Sequence, residues 1–343
     1  MTASTEPKPR PDSLGMHDAL RLVPERTELA MLVVQDAALP SAEEATAIAV
    51  VGNGAAGFAA HVVAMVASTT CAVPVVAVVD GELPAWVGSR SLVVAIDHDE
   101  MPERTRRVLG EAAARGATLI ATAVPGSVLD AVASLGGTSI EVAPTAPVAR
   151  AALGALCAAP LVVLDRLGFL PGLELALDHA VWQLHRRRDE LDAQNGSART
   201  LARRIGRSIP LISGGGPVGR LAAARWKAQC NLNAKIPAFA SALPELGQDE
   251  VSGWGQHGDV TRQVLTSVLL RHSYERPDVK LAFERLVPVL EESLLAVHHV
   301  EAAGEGPLAQ LLDLAYLGDA ISLELAAQEE LDPGPAPGIE MLL

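Results

Sequence analysis

The sequence has no run of about 18 apolar residues free of charges and breakers, the length a bilayer-spanning helix needs, so no membrane passage by a helix is expected. Basic charge is short. Lys and Arg total 27 against 41 Asp and Glu, and the formal net charge of -14 opposes attraction to phosphate backbones, so nucleic acid is not an expected partner. Aromatics make up only 3% of the chain, which leaves few platforms for stacked nucleobases. Cys71, Cys157 and Cys230 form no CxxC pair, which argues against both a disulfide framework and a zinc site. Residues 1–11 hold Lys8, Arg10 and three prolines without an apolar stretch, so a secretory signal is not expected and the cytoplasm is the expected address.

What is present is a hydrophobic fraction of 49% over 343 residues, enough for two separate cores. Short Val/Ile-rich runs alternate with Ala-rich helical stretches, the rhythm of a parallel sheet wound with helices. Strands are expected at 47–51, 75–79, 92–96, 119–122 and 140–142. Ser41-Ala42-Glu43-Glu44 has the form of a helix capping box, and 104–115 reads as an amphipathic helix stopped by Gly116. A long helix over 173–195 should carry Trp182, Leu184 and Leu191 on one side and the basic run His185-Arg186-Arg187-Arg188 on the other. A second alternation follows, with strands at 209–213, 264–270 and 294–300, a helix around Arg225 and a closing helix over 308–329. The halves share this rhythm but no evident repeat of residues. The expected organisation is a tail and lead-in at 1–40, α/β domains at 41–165 and 201–330, a connecting helix at 166–200 and a tail at 331–343.

Gly52-Asn53-Gly54-Ala55-Ala56-Gly57 is a literal GxGxxG between a strand and a helix, and Asp80 closes the next strand, the pattern of a dinucleotide fingerprint. The same glycines suit any tight turn into a closely packed helix. An NAD-binding module is therefore one of three readings.

The stretch Arg225-Trp226-Lys227-Ala228-Gln229-Cys230-Asn231-Leu232-Asn233-Ala234-Lys235, followed by Pro237-Ala238-Phe239 and Leu243-Pro244-Glu245-Leu246, resembles the signature of bifunctional phosphoglucose/phosphomannose isomerases. Gly81 to Val87, Gly318-Asp319-Ala320-Ile321-Ser322 and Asp332-Pro333 resemble further segments of that family, so the likeness spans nearly the whole chain. It implies an α/β fold of two sugar-isomerase (SIS) domains, each a doubly wound, mainly parallel sheet flanked by helices. It also implies a homodimer with a sugar-phosphate cleft at the subunit interface; no cofactor or metal is expected.

Against that family's pattern, Leu232 stands where the isomerase base is a glutamate, Gln248 stands where the ring-opening histidine lies, and the chain closes on Leu343 without the family's C-terminal lysine. Neither leucine nor an amide exchanges protons usefully. The family's phosphate loop of hydroxyls and glycine reads Asp97-His98-Asp99-Glu100-Met101-Pro102 here, and its serine in the first glycine loop is Ala56. A carboxylate about 5 Å from a phosphate dianion costs several kcal/mol at an effective dielectric of about 20, more than a helix dipole returns. The candidate ligand-binding set is Gly52, Gly54, Ala56, Asp97, Asp99 and Arg150; the remaining base candidates are Glu245, Glu250 and His257. A cation held by Asp97, His98 and Asp99 is the alternative for that loop. The first reading is thus a SIS protein without isomerase chemistry that binds a carbohydrate derivative or a protein. The second is an aldose/ketose isomerase with relocated groups, which leaves open whether the chain is an enzyme.

Overall fold

The computed structural model describes residues 11–98, 102–143, 146–192, 196–336 and 338. The chain forms two compact units: Arg21–Arg186 with Ala303–Asp313, and Met1–Leu20 with Arg187–Ala302 and Leu314–Leu343. Two helices precede the first strand, α1 (Met16–Arg21) and α2 (Val23–Gln35).

The first sheet follows from apolar runs too short for helices. β1 (Ala47–Val51) leads through α3 (Gly54–Ala67) to β2 (Val75–Val78), then β3 (Ser91–Asp97), α4 (Glu103–Ala114), β4 (Thr118–Ala123), α5 (Ser127–Ser134) and β5 (Thr138–Glu141). The strands lie in the order β2-β1-β3-β4-β5, all parallel, and the central ones are buried on both faces, as their unbroken Val/Ile/Ala content requires. One side of the core is Val93, Ala121, Leu109, Leu119 and Val132. α6 (Leu153–Arg166) is apolar all round and buried from Leu153 to Leu164, a core helix rather than an amphipathic one. A Cβ on Gly154 would stand 1.7 Å from Thr27 Oγ1, so glycine there lets α6 close on α2.

After α7 (Leu173–Leu191) and α8 (Ser197–Ile205) the second sheet begins. It consists of β6 (Ile209–Gly215), α9 (Gly216–Gln229), β7 (Phe239–Leu243), α10 (Glu250–Gly253), α11 (Gly258–Val264), β8 (Leu265–Arg271), α12 (Pro277–Ser293), β9 (Ala296–Glu301) and α13 (Pro307–Gln328). The strand order is β7-β6-β8-β9, again parallel throughout. Phe283, Leu269, Leu243 and Leu290 anchor its core.

Each sheet reverses its strand order beside its first strand, between β1 and β3 and between β6 and β8, which is where α/β sheets open a crevice at their strand ends. The two crevices are built alike. Gly214-Gly215-Gly216-Pro217-Val218-Gly219 is a second GxGxxG, and Gly54 and Gly216 share left-handed backbone at φ +55° and +59°. Extending the register Val51↔Ala95 to Gly52↔Ile96 and setting it beside Gly214↔Leu270 matches Ile96 with Leu270, Asp97 with Arg271 and His98 with His272.

Three expectations are corrected. Ser41–Glu44 caps no helix: Ala45 N–H donates to Ala42 O and Thr46 N–H to Arg90 O, so a turn feeds β1 directly, there being no amphipathic run to cap. In α7, Trp182 and Leu184 lie on different faces, as residues two apart on a helix must; Trp182 is exposed under the Arg186 guanidinium, while Leu184 is fully buried. The basic run is not one solvated face either, since Arg187 is buried and donates to Glu190 at 2.6 Å.

Candidate functional site

The crevice of the first sheet holds most of the residues singled out for ligand binding. A Cβ on Gly52 would lie 2.6 Å from the Ala56 carbonyl, and one on Gly57 would lie 3.2 Å from Val79 Cγ1, so both glycines answer a close approach of backbone and helix. Ala56 is buried. Asn53, the residue before α3, does not cap it: its amide donates to Thr105 Oγ1 at 2.6 Å and accepts from Arg104 Nε at 2.6 Å. Asp80 is exposed. Asp97 Oδ1 accepts the His98 N–H at 2.9 Å. Asp97, His98, Thr122, Val124 and Val142 line a cavity of about 10 Å³, room for one water molecule and too little for a phosphate. The Thr122 hydroxyl, in a residue only 2% exposed, has no hydrogen-bond partner among the described residues. Asp99 lies outside the described residues, and among those described no three His, Cys, Asp or Glu side chains are placed to hold a metal ion. Arg150 is buried in the short turn Ala149–Ala151.

The signature segment runs along α9 into the π-turn Cys230–Ala234, and Arg225, Trp226 and Asn233 bond to α13. Arg225 donates Nε to Asp319 Oδ1 at 2.9 Å and Nη2 to Oδ2 at 2.7 Å, with both side chains buried. Trp226 Nε1 donates to Leu314 O at 2.6 Å, and a Cβ on Gly318 would stand 2.3 Å from Trp226 Cδ1. Asn233 Nδ2 donates to Ser322 Oγ at 2.9 Å. Lys235, at φ +57°, closes the segment by donating Nζ to Leu232 O at 2.7 Å and Asp332 O at 3.1 Å. Leu232 is half-buried in this turn. Burial pushes the Cys230 thiol up to about 12, so it is no nucleophile at neutral pH.

The three base candidates lie on the exposed segment after β7. Glu245 bonds its own backbone N–H and the Arg220 guanidinium at 2.6 Å, and both hold its carboxyl below the usual range, the wrong direction for a base. Glu250 is shifted the other way: desolvation and the Asp249 charge raise it, against a hydrogen bond with Ser241. His257 precedes α11 and is exposed, as is Gln248. Leu343 lies outside the described residues. On β9, His298 is half-buried and His299 exposed, as neighbours pointing to opposite faces of a strand can be.

One feature escaped the sequence reading. An open hollow of about 570 Å³ lies on the edge strand β7 and the last turn of α9, lined by Leu211, Ala224, Ala228 and Ala240 with Lys227, Phe239 and Glu250. Phe239 is 58% exposed. The signal available beforehand was a lone aromatic at the start of an otherwise small-residue strand. Among the described residues no helix is long and apolar enough to cross a membrane.

Residues 194–342 match the family model of the bacterial phospho-glucose isomerase C-terminal SIS domain. The bifunctional phosphoglucose/phosphomannose isomerase of Caldicellulosiruptor bescii is 25% identical over 332 residues, 95% of this chain and 97% of that protein. The protein so described in Aquifex aeolicus is 28% identical over 270 residues, 78% of this chain and 80% of its own length. In architecture the chain is similar to tagatose-6-phosphate ketose/aldose isomerase from Escherichia coli, with a TM-score of 0.70 at 12% identity over 93% of this chain and 95% of the other.

Proposed function

We propose, from the match of residues 194–342 to the bacterial phospho-glucose isomerase C-terminal SIS domain, that this phosphosugar-isomerase-like protein binds a carbohydrate derivative without isomerising it. The observation that carries the reading is Leu232 at the position where the likeness calls for a base. Moving a proton between C1 and C2 of an enediol needs a titrating group within reach, and a general base contributes about 10²- to 10⁴-fold to such a step. Asp97 supports the same reading, because it puts a carboxylate at the end of β3, where the likeness calls for hydroxyls and amides. A homodimer in the cytoplasm completes the proposal.

A coupled assay of the purified protein with glucose-6-phosphate and mannose-6-phosphate should show no fructose-6-phosphate above the enzyme-free blank. The raised carboxyl of Glu250 favours one rival, an isomerase whose base has moved. Turnover abolished by Glu250→Gln would establish that rival and end the present reading.

A further inference from the structure

We propose that the hollow on β7 and α9 binds an unphosphorylated pyranose, whose C–H face lies on Phe239 and whose hydroxyls are shared between Lys227 and Glu250. The proposal rests on the sugar-binding reading and deepens it by naming the site and the ligand class. At about 570 Å³ the hollow has the dimensions of a small-molecule site, with an apolar floor and few polar groups. Its polar groups suit hydroxyls, since each hydroxyl both donates and accepts. The Lys227 ammonium offers only donors and the Glu250 carboxylate only acceptors. The electron-rich face of an exposed phenyl ring attracts polarised C–H bonds, and Phe239 supplies one at the start of the edge strand.

The strand beneath the rim is polar as well. Ser241 Oγ lies 3.0 Å from Ser213 Oγ on the neighbouring strand, where the two serines are register partners, and Ser241 favours the charged form of Glu250 against desolvation. The same geometry disfavours a phosphate. Lys227 and Ala228 lie in the last turn of α9, toward the negative end of the helix dipole, and Glu250 adds a full negative charge. Nothing here resembles the cradle of amide donors that a phosphate takes at a helix N-terminus.

The test is isothermal calorimetry on the intact chain with glucose, mannose and N-acetylglucosamine against their 6-phosphates, backed by ligand-observed NMR. The expected result is binding of at least one neutral sugar at about 1 mM, with its 6-phosphate at least tenfold weaker, about 1.4 kcal/mol. Phe239→Ala and Glu250→Gln should each weaken the neutral sugar about tenfold while leaving amide protection in β6 and α9 unchanged, since both side chains sit at the surface. Neutral-sugar binding indifferent to both variants would overturn the site while leaving the sugar-binding reading intact. Equal or tighter binding of the 6-phosphate would overturn the ligand class. Binding of no sugar at all would remove both. Sedimentation of Phe239→Ala supplies a further arm: dissociation of an oligomer by that change would mean that a second copy covers the hollow, and the proposal falls.

Discussion

Arg225→Ala should destabilise the unit built on the second sheet by about 3–5 kcal/mol, because it leaves the Asp319 carboxylate buried without its partner. The pair is bidentate, at 2.9 and 2.7 Å, and both side chains are almost fully buried. Replacing both ends with apolar residues of similar volume, Arg225→Met with Asp319→Leu, should restore most of the loss, since the pair itself gains little beyond what it costs to desolvate. Because the chain has two units, a single melting temperature is a poor readout. Amide hydrogen exchange along α9 and α13 is the better one. Protection should fall in the single variant and return in the double. A single variant that kept full protection but lost ligand binding would assign Arg225 to a site instead.

That contrast bears on how much the signature segment says about function. Arg225, Trp226, Asn233, Gly318 and Ser322 are all engaged between α9 and α13, so their presence follows from how the second unit is held together. A chain can keep every one of them and still have Leu232 in the neighbouring turn. Resemblance in this segment therefore establishes fold, while chemistry is decided by the few positions that bear no packing role.

The parallel sheets were legible because β1, β3, β4 and β8 each contain a short apolar run, Ala47–Val51, Leu92–Ile96, Leu119–Ala121 and Val268–Leu270, separated by helical and glycine-bearing stretches. β7 was not, since Phe-Ala-Ser-Ala-Leu contains no β-branched residue and gains its pairing from Leu211 to Gly215 alongside. α6 escaped because an all-apolar helix has no period to detect. The departures at Leu232 and Gln248 from the resembled motif could be read from residue type alone. The hollow could not, as it joins Leu211, Lys227, Phe239 and Glu250, which share no spacing and meet only when α9 packs on the sheet edge. The repeated glycine loop lay between these cases: Gly214–Gly219 is visible in the sequence, but its correspondence to Gly52–Gly57 becomes plain only through strand order and register.

The glycine loops yield the second large effect, at Gly214. A Cβ there would stand 2.2 Å from Gly219 O and 2.5 Å from Gly219 Cα, and the obstacle is backbone, which cannot rotate aside as a side chain can. Gly214→Ala must push α9 away from β6, an overpacking change expected to cost about 3 kcal/mol or more. Gly216→Ala meets nothing within 4 Å and pays only for its left-handed φ of +59°, about 1–2 kcal/mol, less a few tenths returned by a stiffer unfolded chain. Urea unfolding of both variants, followed by exchange in β6 and α9, should show that order. A dinucleotide cradle predicts something different, because its second glycine is the one that lets the backbone approach the pyrophosphate. In that case Gly216→Ala, and Gly54→Ala in the first sheet, would abolish NAD binding by calorimetry at no more than that modest cost in stability. The close Gly214–Gly219 approach, matched by Gly52 on Ala56, already accounts for the first glycine of each motif by packing alone. A literal GxGxxG occurring twice in one chain, once after each central strand, is then what two copies of the same strand-to-helix turn require, with or without a nucleotide.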